Sequence, residues 1–260
     1  YSADYPGEIR RIMKEKFGGD HGFLTGPCGN IIMREKAEWI PLQPGGGVTC
    51  MLPTSKMKAE NDCFKEANRI AGSLVEYIEK NLPNSSEYCD IKTLDNQLIE
   101  FKLELRSDLC SDSEVANKEC QKIQDDLLIN RNNYTLAKVK ELVDKANFYG
   151  AHRYFNNGYV TKEDYRNGFI TINIPSFKIN DLIFQGMPGE TFWETGLPIR
   201  RWANNNNIPL VTFSFANGST LYLPTDEERP FGDYEVAFTL CREGEITKLS
   251  NEILNCGKQI

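Results

Sequence analysis

Two apolar periodicities alternate along this chain, and that alternation limits its fold more tightly than any other feature. Apolar residues recur at helical spacing in Ile9, Ile12, Met13 and Phe17, then in Phe64, Ala67, Ile70, Ala71, Leu74, Val75 and Ile78. They do so again near the end, in Ile246, Leu249, Ile253 and Leu254. Each of these segments therefore has one apolar face. Elsewhere the spacing falls towards two, through Leu98, Ile99, Phe101, Leu103 and Leu105, and the run Phe169-Ile170-Thr171-Ile172-Asn173-Ile174 is rich in β-branched and aromatic residues. Such side chains suit a half-buried pleated surface. Helix, strand, helix, strand order predicts an α/β fold, a mixed sheet flanked by helices.

Local signals mark the boundaries. Asp4 is expected to cap the first helix, with Pro6 in its first turn and Gly18-Gly19 at its end. Residues 21–25 read as a short buried strand running into the tight sequence Gly26-Pro27-Cys28-Gly29-Asn30, and 34–55, polar and rich in Gly and Pro, as a long surface loop. A helix is expected over 56–80, a strand pair over 91–105, and helices over 114–128 and 136–148. β-rich sequence follows at 169–174, 177–185 and 210–216, and a helix over 243–254 closes the chain. There is no internal repeat, and 204–207 reads as a loop.

At 260 residues the chain forms one large domain or two small ones. With 40% hydrophobic residues, 14 Phe and 11 Tyr it can fill a core, which excludes a disordered chain. A net charge of -7 and a pI near 5.1 argue against nucleic acid or an anionic membrane as partner, since both reward clustered Lys and Arg. No apolar run approaches the roughly 20 residues of a transmembrane helix, so no transmembrane segment is expected. The chain opens at Tyr1 without Met or a signal-like stretch, and a preceding segment is expected to have been removed or to lie on another chain. Eight cysteines, an even number with no CxxC pair, exclude a zinc ribbon or thioredoxin motif. Together with three sequons, at Asn84, Asn133 and Asn217, they predict a secreted or lumenal glycoprotein with disulfide bonds.

Two stretches bear on chemistry. In Leu182-Ile183-Phe184-Gln185-Gly186-Met187-Pro188-Gly189-Glu190 a strand runs into Pro-Gly, and Glu190 is expected at the start of a helix. Its ordinary reading is an acid favoured by the helix dipole. Its functional reading is a carboxylate presented into the cleft at the end of a sheet strand. The second stretch, from Val211 through Asn217-Gly218 to Tyr222 and Thr225, reads ordinarily as a β-hairpin with Tyr222 half-buried, and Tyr234 is equally unremarkable by position. Spacing alone identifies no active site.

Taken in order, Pro188-Gly189-Glu190-Thr191-Phe192, Asn217-Gly218-Ser219-Thr220-Leu221-Tyr222-Leu223-Pro224-Thr225 and Tyr234-Glu235-Val236 resemble the C-terminal core of the neutral/alkaline, non-lysosomal ceramidase-like family. Ser2-Ala3-Asp4-Tyr5-Pro6-Gly7 and Gly22-Phe23-Leu24-Thr25-Gly26-Pro27-Cys28-Gly29-Asn30 are similar to that family's central segment. The resemblance runs from residue 1 to about 254 and is best at its two ends; over 80–165 it extends only to the pattern of elements. It implies that residues 1–260 are the C-terminal half of a zinc hydrolase domain whose N-terminal half is absent from this chain. It also implies that Glu190 and Tyr222 are Zn2+ ligands, and that Tyr234, twelve residues beyond Tyr222, hydrogen-bonds the reacting carbonyl or its oxyanion. Carboxylate and phenolate oxygens suit zinc, which lowers the pKa of a water towards about 7 and polarises an amide carbonyl.

The sequence departs from the family at several points. The family's remaining zinc ligands are histidines of the N-terminal half, and here only His21 and His152 occur, neither in a His-x-His arrangement. They read instead as capping a strand edge and a helix end. Ser219 replaces a Tyr, and Gly26 replaces the Ser of true ceramidases, so ceramide specificity does not transfer. The resemblance also implies a disulfide between Cys50 and Cys63, a thirteen-residue step whose closure is worth roughly 3 kcal/mol. Cys241 and Cys256 form a second candidate pair, the connectivity of Cys28, Cys89, Cys110 and Cys120 stays open, and Cys28 is the one candidate for a reactive thiol. The expectation is a zinc-dependent hydrolase of an amide bond in an N-acylated lipid, completed by an N-terminal chain or segment of the same precursor. The alternative is a secreted, non-catalytic binding protein that kept the fold and lost the metal.

Overall fold

The computed structural model describes residues 3–31, 61–81, 90–218, 220–231 and 233–260. The chain divides into two compact units, Tyr1–Leu24 with Thr49–Asp90 and Thr25–Val48 with Ile91–Ile260.

The first unit contains α1 (Asp4–Phe17) and α2 (Asn61–Asn81). Ile9 of α1 is buried with Ala71 and Val75 of α2, and Tyr5, Ile12 and Met13 pack against them. The expected face is therefore correct except at Phe17, which is 49% exposed at the helix end. Gly18 stops α1 in a left-handed conformation, its N–H donating to the Lys14 carbonyl. The N-cap is Ala3 without a side-chain bond, so Asp4 does not cap but occupies the first turn. The strand expected at 21–25 is not formed. The His21 ring there bonds the Gly18 carbonyl at 2.8 Å rather than a strand edge. The loop expected at 34–55 lies outside the described residues, as does the 56–60 portion of the second helix.

The second unit is an α/β domain with a mixed sheet flanked by helices. Its chain order is β1 (Leu94–Glu104), α3 (Ser113–Asn130), α4 (Leu136–Tyr154), α5 (Lys162–Asn167), β2 (Phe169–Ile179), β3 (Leu182–Gly186), β4 (Glu190–Thr191), α6 (Leu197–Asn205), β5 (Leu210–Phe213), β6 (Tyr222–Leu223), α7 (Asp233–Ala237) and α8 (Glu245–Gln259). Four strands make the main sheet in the order β1-β2-β3-β5. β1 and β2 run antiparallel from Leu94↔Ile179 to Glu104↔Phe169, so the strand pair expected within 91–105 is one long strand whose partner residues lie 65 to 85 positions further along the chain. β2 and β3 form a hairpin, with Ile179 opposite Leu182. β5 joins β3 in parallel. α6 supplies the crossover that a parallel pair requires.

The core follows the strand alternation. Leu103 and Leu105 of the first strand segment and Ile170, Ile172 and Ile174 of the second are buried with Ala151, Phe155 and Ile199 from helices. Leu98, on the opposite face, is 58% exposed. α8 buries Ile246, Leu249, Ile253 and Cys256 on one stripe. It lies along β1: the buried Glu245 carboxylate accepts the Glu104 N–H at 3.0 Å, and Gln97 donates to Gln259 at 3.1 Å.

That placement separates the cysteines expected to pair. Cys241 bridges Leu105, whereas the Cys256 thiol reaches Gln97. Eight strand residues at about 3.3 Å each set those points roughly 26 Å apart, beyond the reach of a disulfide. Both are free thiols, as are Cys28 and Cys110. Cys50, Cys89 and the Cys63 side chain lie outside what the structure describes, and the Cys50–Cys63 pairing with them.

Candidate functional site

The strand β3 ends at Gly186, and the next residues, Met187-Pro188-Gly189, turn the chain out of the main sheet. Gly189 has φ +51, and a Cβ on it would meet the Thr220 Oγ1 at 2.3 Å and the Leu221 carbonyl at 2.6 Å. Only glycine both adopts this backbone and admits the approach. Glu190 follows directly, in a two-residue strand rather than at the helix start expected for it. The first helical turn begins at Trp193, so the helix dipole does not account for this carboxylate.

The segment from 211 to 225 is not a hairpin. β5 belongs to the main sheet, whereas β6 pairs in parallel with β4 to make a second, two-stranded sheet. In that ladder Glu190 stands opposite Tyr222, and Thr191 opposite Leu223. The Glu190 N–H donates to the Leu221 carbonyl at 2.9 Å. The Tyr222 phenol lies close enough to the Glu190 carboxylate for each to raise or lower the other's proton affinity. Tyr234, on α7, sets its ring edge-on to Tyr222 with centroids 5.6 Å apart and packs on Phe238 at 4.3 Å. The structure thus brings together all three residues named from the sequence: Glu190, Tyr222 and Tyr234.

The electrostatics of this cluster lean one way. Burial pushes the Glu190 carboxyl above its ordinary range; the Tyr222 phenol opposes this, and the charge of Glu235 adds to it. The Tyr222 phenol is pushed up by burial, by Glu190 and by the neighbouring acids. Glu235, which the sequence reading quoted only as the neighbour of Tyr234, adds negative charge that both partners of the pair feel.

The Gly26–Asn30 loop completes the surroundings. The Gly29 N–H donates to the Thr191 carbonyl at 3.0 Å, and a Cβ on Gly29 would meet the Glu190 carbonyl at 2.2 Å. The Asn30 side chain accepts the Trp193 N–H at 3.0 Å and donates to Glu194 at 2.8 Å. Among the described residues, no atom lies within 4 Å of a Cβ added at Gly26, the position where the family's true ceramidases carry Ser. The Cys28 thiol is pushed up by burial and by Glu190, which is the opposite of what activates a nucleophile.

The donor set suits a cation in part. A carboxylate and a phenol on adjacent strands, each disfavoured in its charged form and joined by a second acid, are oxygen ligands whose ionisation a metal would restore. They supply two positions of the four that zinc takes. Among the described residues no group of three or more His, Cys, Asp and Glu could hold a metal. His152 is fully buried near the end of α4, with Nδ1 bonding the Phe148 carbonyl and Nε2 accepting the Cys110 N–H, so both ring nitrogens are committed.

Fold and site together define a mixed-sheet α/β domain with an acid–phenol pair on a small accessory sheet. Among solved structures, the neutral ceramidase of Pseudomonas aeruginosa is similar over 98% of this chain and 40% of that chain, at 16% identity and a TM-score of 0.51. The likeness is one of fold, and the chain spans well under half the length of that enzyme. A structure of a ceramidase complexed with C2 aligns over 34% of this chain and 14% of that one, at 25% identity and a TM-score of 0.30. No family model and no curated protein matches the sequence.

Proposed function

We propose that this chain is the C-terminal part of a zinc-dependent hydrolase that cleaves an amide bond in an N-acylated lipid. The reading is carried by one observation: Glu190 and Tyr222 stand opposite each other in register on adjacent strands, with the Tyr234 ring edge-on to Tyr222. The fold of a neutral ceramidase supports it. Glu190 and Tyr222 would hold the ion, and an N-terminal segment of the same precursor would contribute the nitrogen ligands. When bound, zinc supplies a Lewis acid and brings the pKa of a water towards neutrality. To hold the ion, Tyr222 would have to release its phenol proton, which burial otherwise favours keeping. The Tyr234 phenol, 38% exposed beside Tyr222, donates to the substrate carbonyl and to the oxyanion that develops there.

The test is zinc content and hydrolysis of N-acyl lipids by the protein carrying its N-terminal portion. E190Q and Y222F are expected to lose zinc. Y234F is expected to keep it while kcat falls about 10²- to 10³-fold, the usual loss on removing an oxyanion donor. Zinc retained at wild-type affinity by E190Q rejects the reading. The isolated chain is expected to bind zinc weakly, since two ligands fall short of a closed set.

A further inference from the structure

One cation of the α/β unit lacks the counter-charge that burial calls for. Arg200, on α6, is half-buried, and burial alone lowers the proton affinity of its guanidinium; no acidic side chain among the described residues offsets that shift. The nearest acid in sequence, Glu194, accepts instead from the Asn30 side chain at 2.8 Å, and the first turn of α6 carries no acid. A charge taken out of water is costly unless an opposite charge and full hydrogen bonding offset it. The hydrogen bonding of Arg200 is incomplete as well. Nε and Nη2 both donate to the Thr212 hydroxyl, at 3.2 and 2.7 Å, and the Trp193 ring covers one face of the guanidinium at 3.7 Å. Nη1 is buried and, among the described residues, donates to nothing.

Thr212 and Trp193 orient the guanidinium without neutralising it. Thr212 is uncharged, and an aromatic ring offsets a desolvated cation only in part. With Nε committed to Thr212, the free donors lie on the Nη1–Nη2 edge, which a carboxylate or phosphate takes with two parallel hydrogen bonds. The place in the fold agrees. Thr212 lies near the carboxyl end of β5, opposite Gln185 of its parallel partner β3, and α6 is the crossover between them. Open α/β sheets bind ligands at the carboxyl ends of such strands.

We propose that Arg200, oriented by Thr212 and Trp193, anchors a binding site for a small oxyanion, the carboxylate or phosphate group of a ligand. Trp193, 41% exposed, is the side chain that an entering anion moves aside to reach Nη1. The inference does not depend on the zinc reading, since none of these residues is a proposed zinc ligand. The test is calorimetric titration of the full-length protein with sodium phosphate and with sodium acetate, against sodium chloride at matched ionic strength, with tryptophan emission followed in parallel. The wild type is expected to bind at least one oxyanion and to change its emission, and chloride to do neither; the tighter of phosphate and acetate names the ligand class. R200K keeps the charge but not the fork and is expected to bind about tenfold more weakly, whereas R200M is expected not to bind. W193F is expected to bind while losing the emission change. Thermal melts separate this from a structural role. Bound anion raises the melting temperature of the wild type, and that rise is expected to vanish in R200M. A structural arginine would instead lower stability equally in every buffer. If R200M does not fold, R200K decides. Oxyanion binding by R200M or R200K equal to that of the wild type overturns the proposal. So does a wild type that binds neither anion, which is the outcome if an acidic side chain elsewhere in the full-length protein already fills the fork.

Discussion

Glu190 is held where an isolated carboxylate is disfavoured, and this has a measurable cost. Its folded pKa is raised above the ordinary 4.5, by burial first and by Glu235 as well. Between the unfolded and folded values the native state binds more protons, so this group's contribution to stability falls as pH rises through that window. E190Q is therefore expected to raise the melting temperature of the metal-free protein at pH 7, and the gap from wild type should close towards pH 4; thermal melts across pH 4–8 check it. His152 has the opposite sign. Burial lowers its pKa below 6.5, so its contribution is present above that value and is lost as pH falls below it. H152A should cost about 2–4 kcal/mol in denaturant unfolding, from the cavity and the orphaned Cys110 N–H, and should remove that acid-dependent component.

At the scale of elements, the site depends on a parallel pair only two residues long, and such a ladder has little stability of its own. Its register is set from outside by the left-handed Gly189, by the Leu221 carbonyl and by the close approach of Gly29. G189A is expected to destabilise by about 2–4 kcal/mol and to break the Glu190–Tyr222 pairing, because it adds both strain and overlap. N217G, at an exposed left-handed position, should be neutral or stabilising by up to about 1 kcal/mol. Chemical denaturation of the two variants side by side checks the contrast. The α8 face and the α3 span were readable from residue spacing, whereas Leu74 of the expected α2 face is exposed, α4 runs on from 148 to Tyr154, and the strand expected over 177–185 is split by the turn between β2 and β3. The mistaken hairpin at 211–225 came from the same reasoning, because Asn217-Gly218 is a genuine turn signal. What spacing does not carry is that the chain on either side of that turn joins different sheets.

Across the whole molecule, α8 aligned along β1 sends Cys241 and Cys256 to opposite ends of one strand. Non-reducing peptide mapping is expected to show no Cys241–Cys256 link, whatever the other cysteines do. No described helix is long and apolar enough to cross a membrane. Asn133, exposed in the turn before α4, and Asn217, exposed beside the site, are the two sequons whose asparagines the structure describes.

By itself the sequence determined most of the helices and strands and their buried faces, and it named the residues whose chemistry the site reading rests on. Helical and strand periods are local properties, and ordered motifs survive where overall identity is low. Only the tertiary structure decided partners: β1 with β2, Cys241 apart from Cys256, and Glu190 opposite Tyr222 with Tyr234 and Glu235 alongside. Those relations depend on where distant segments meet, and many chain paths satisfy the same local pattern.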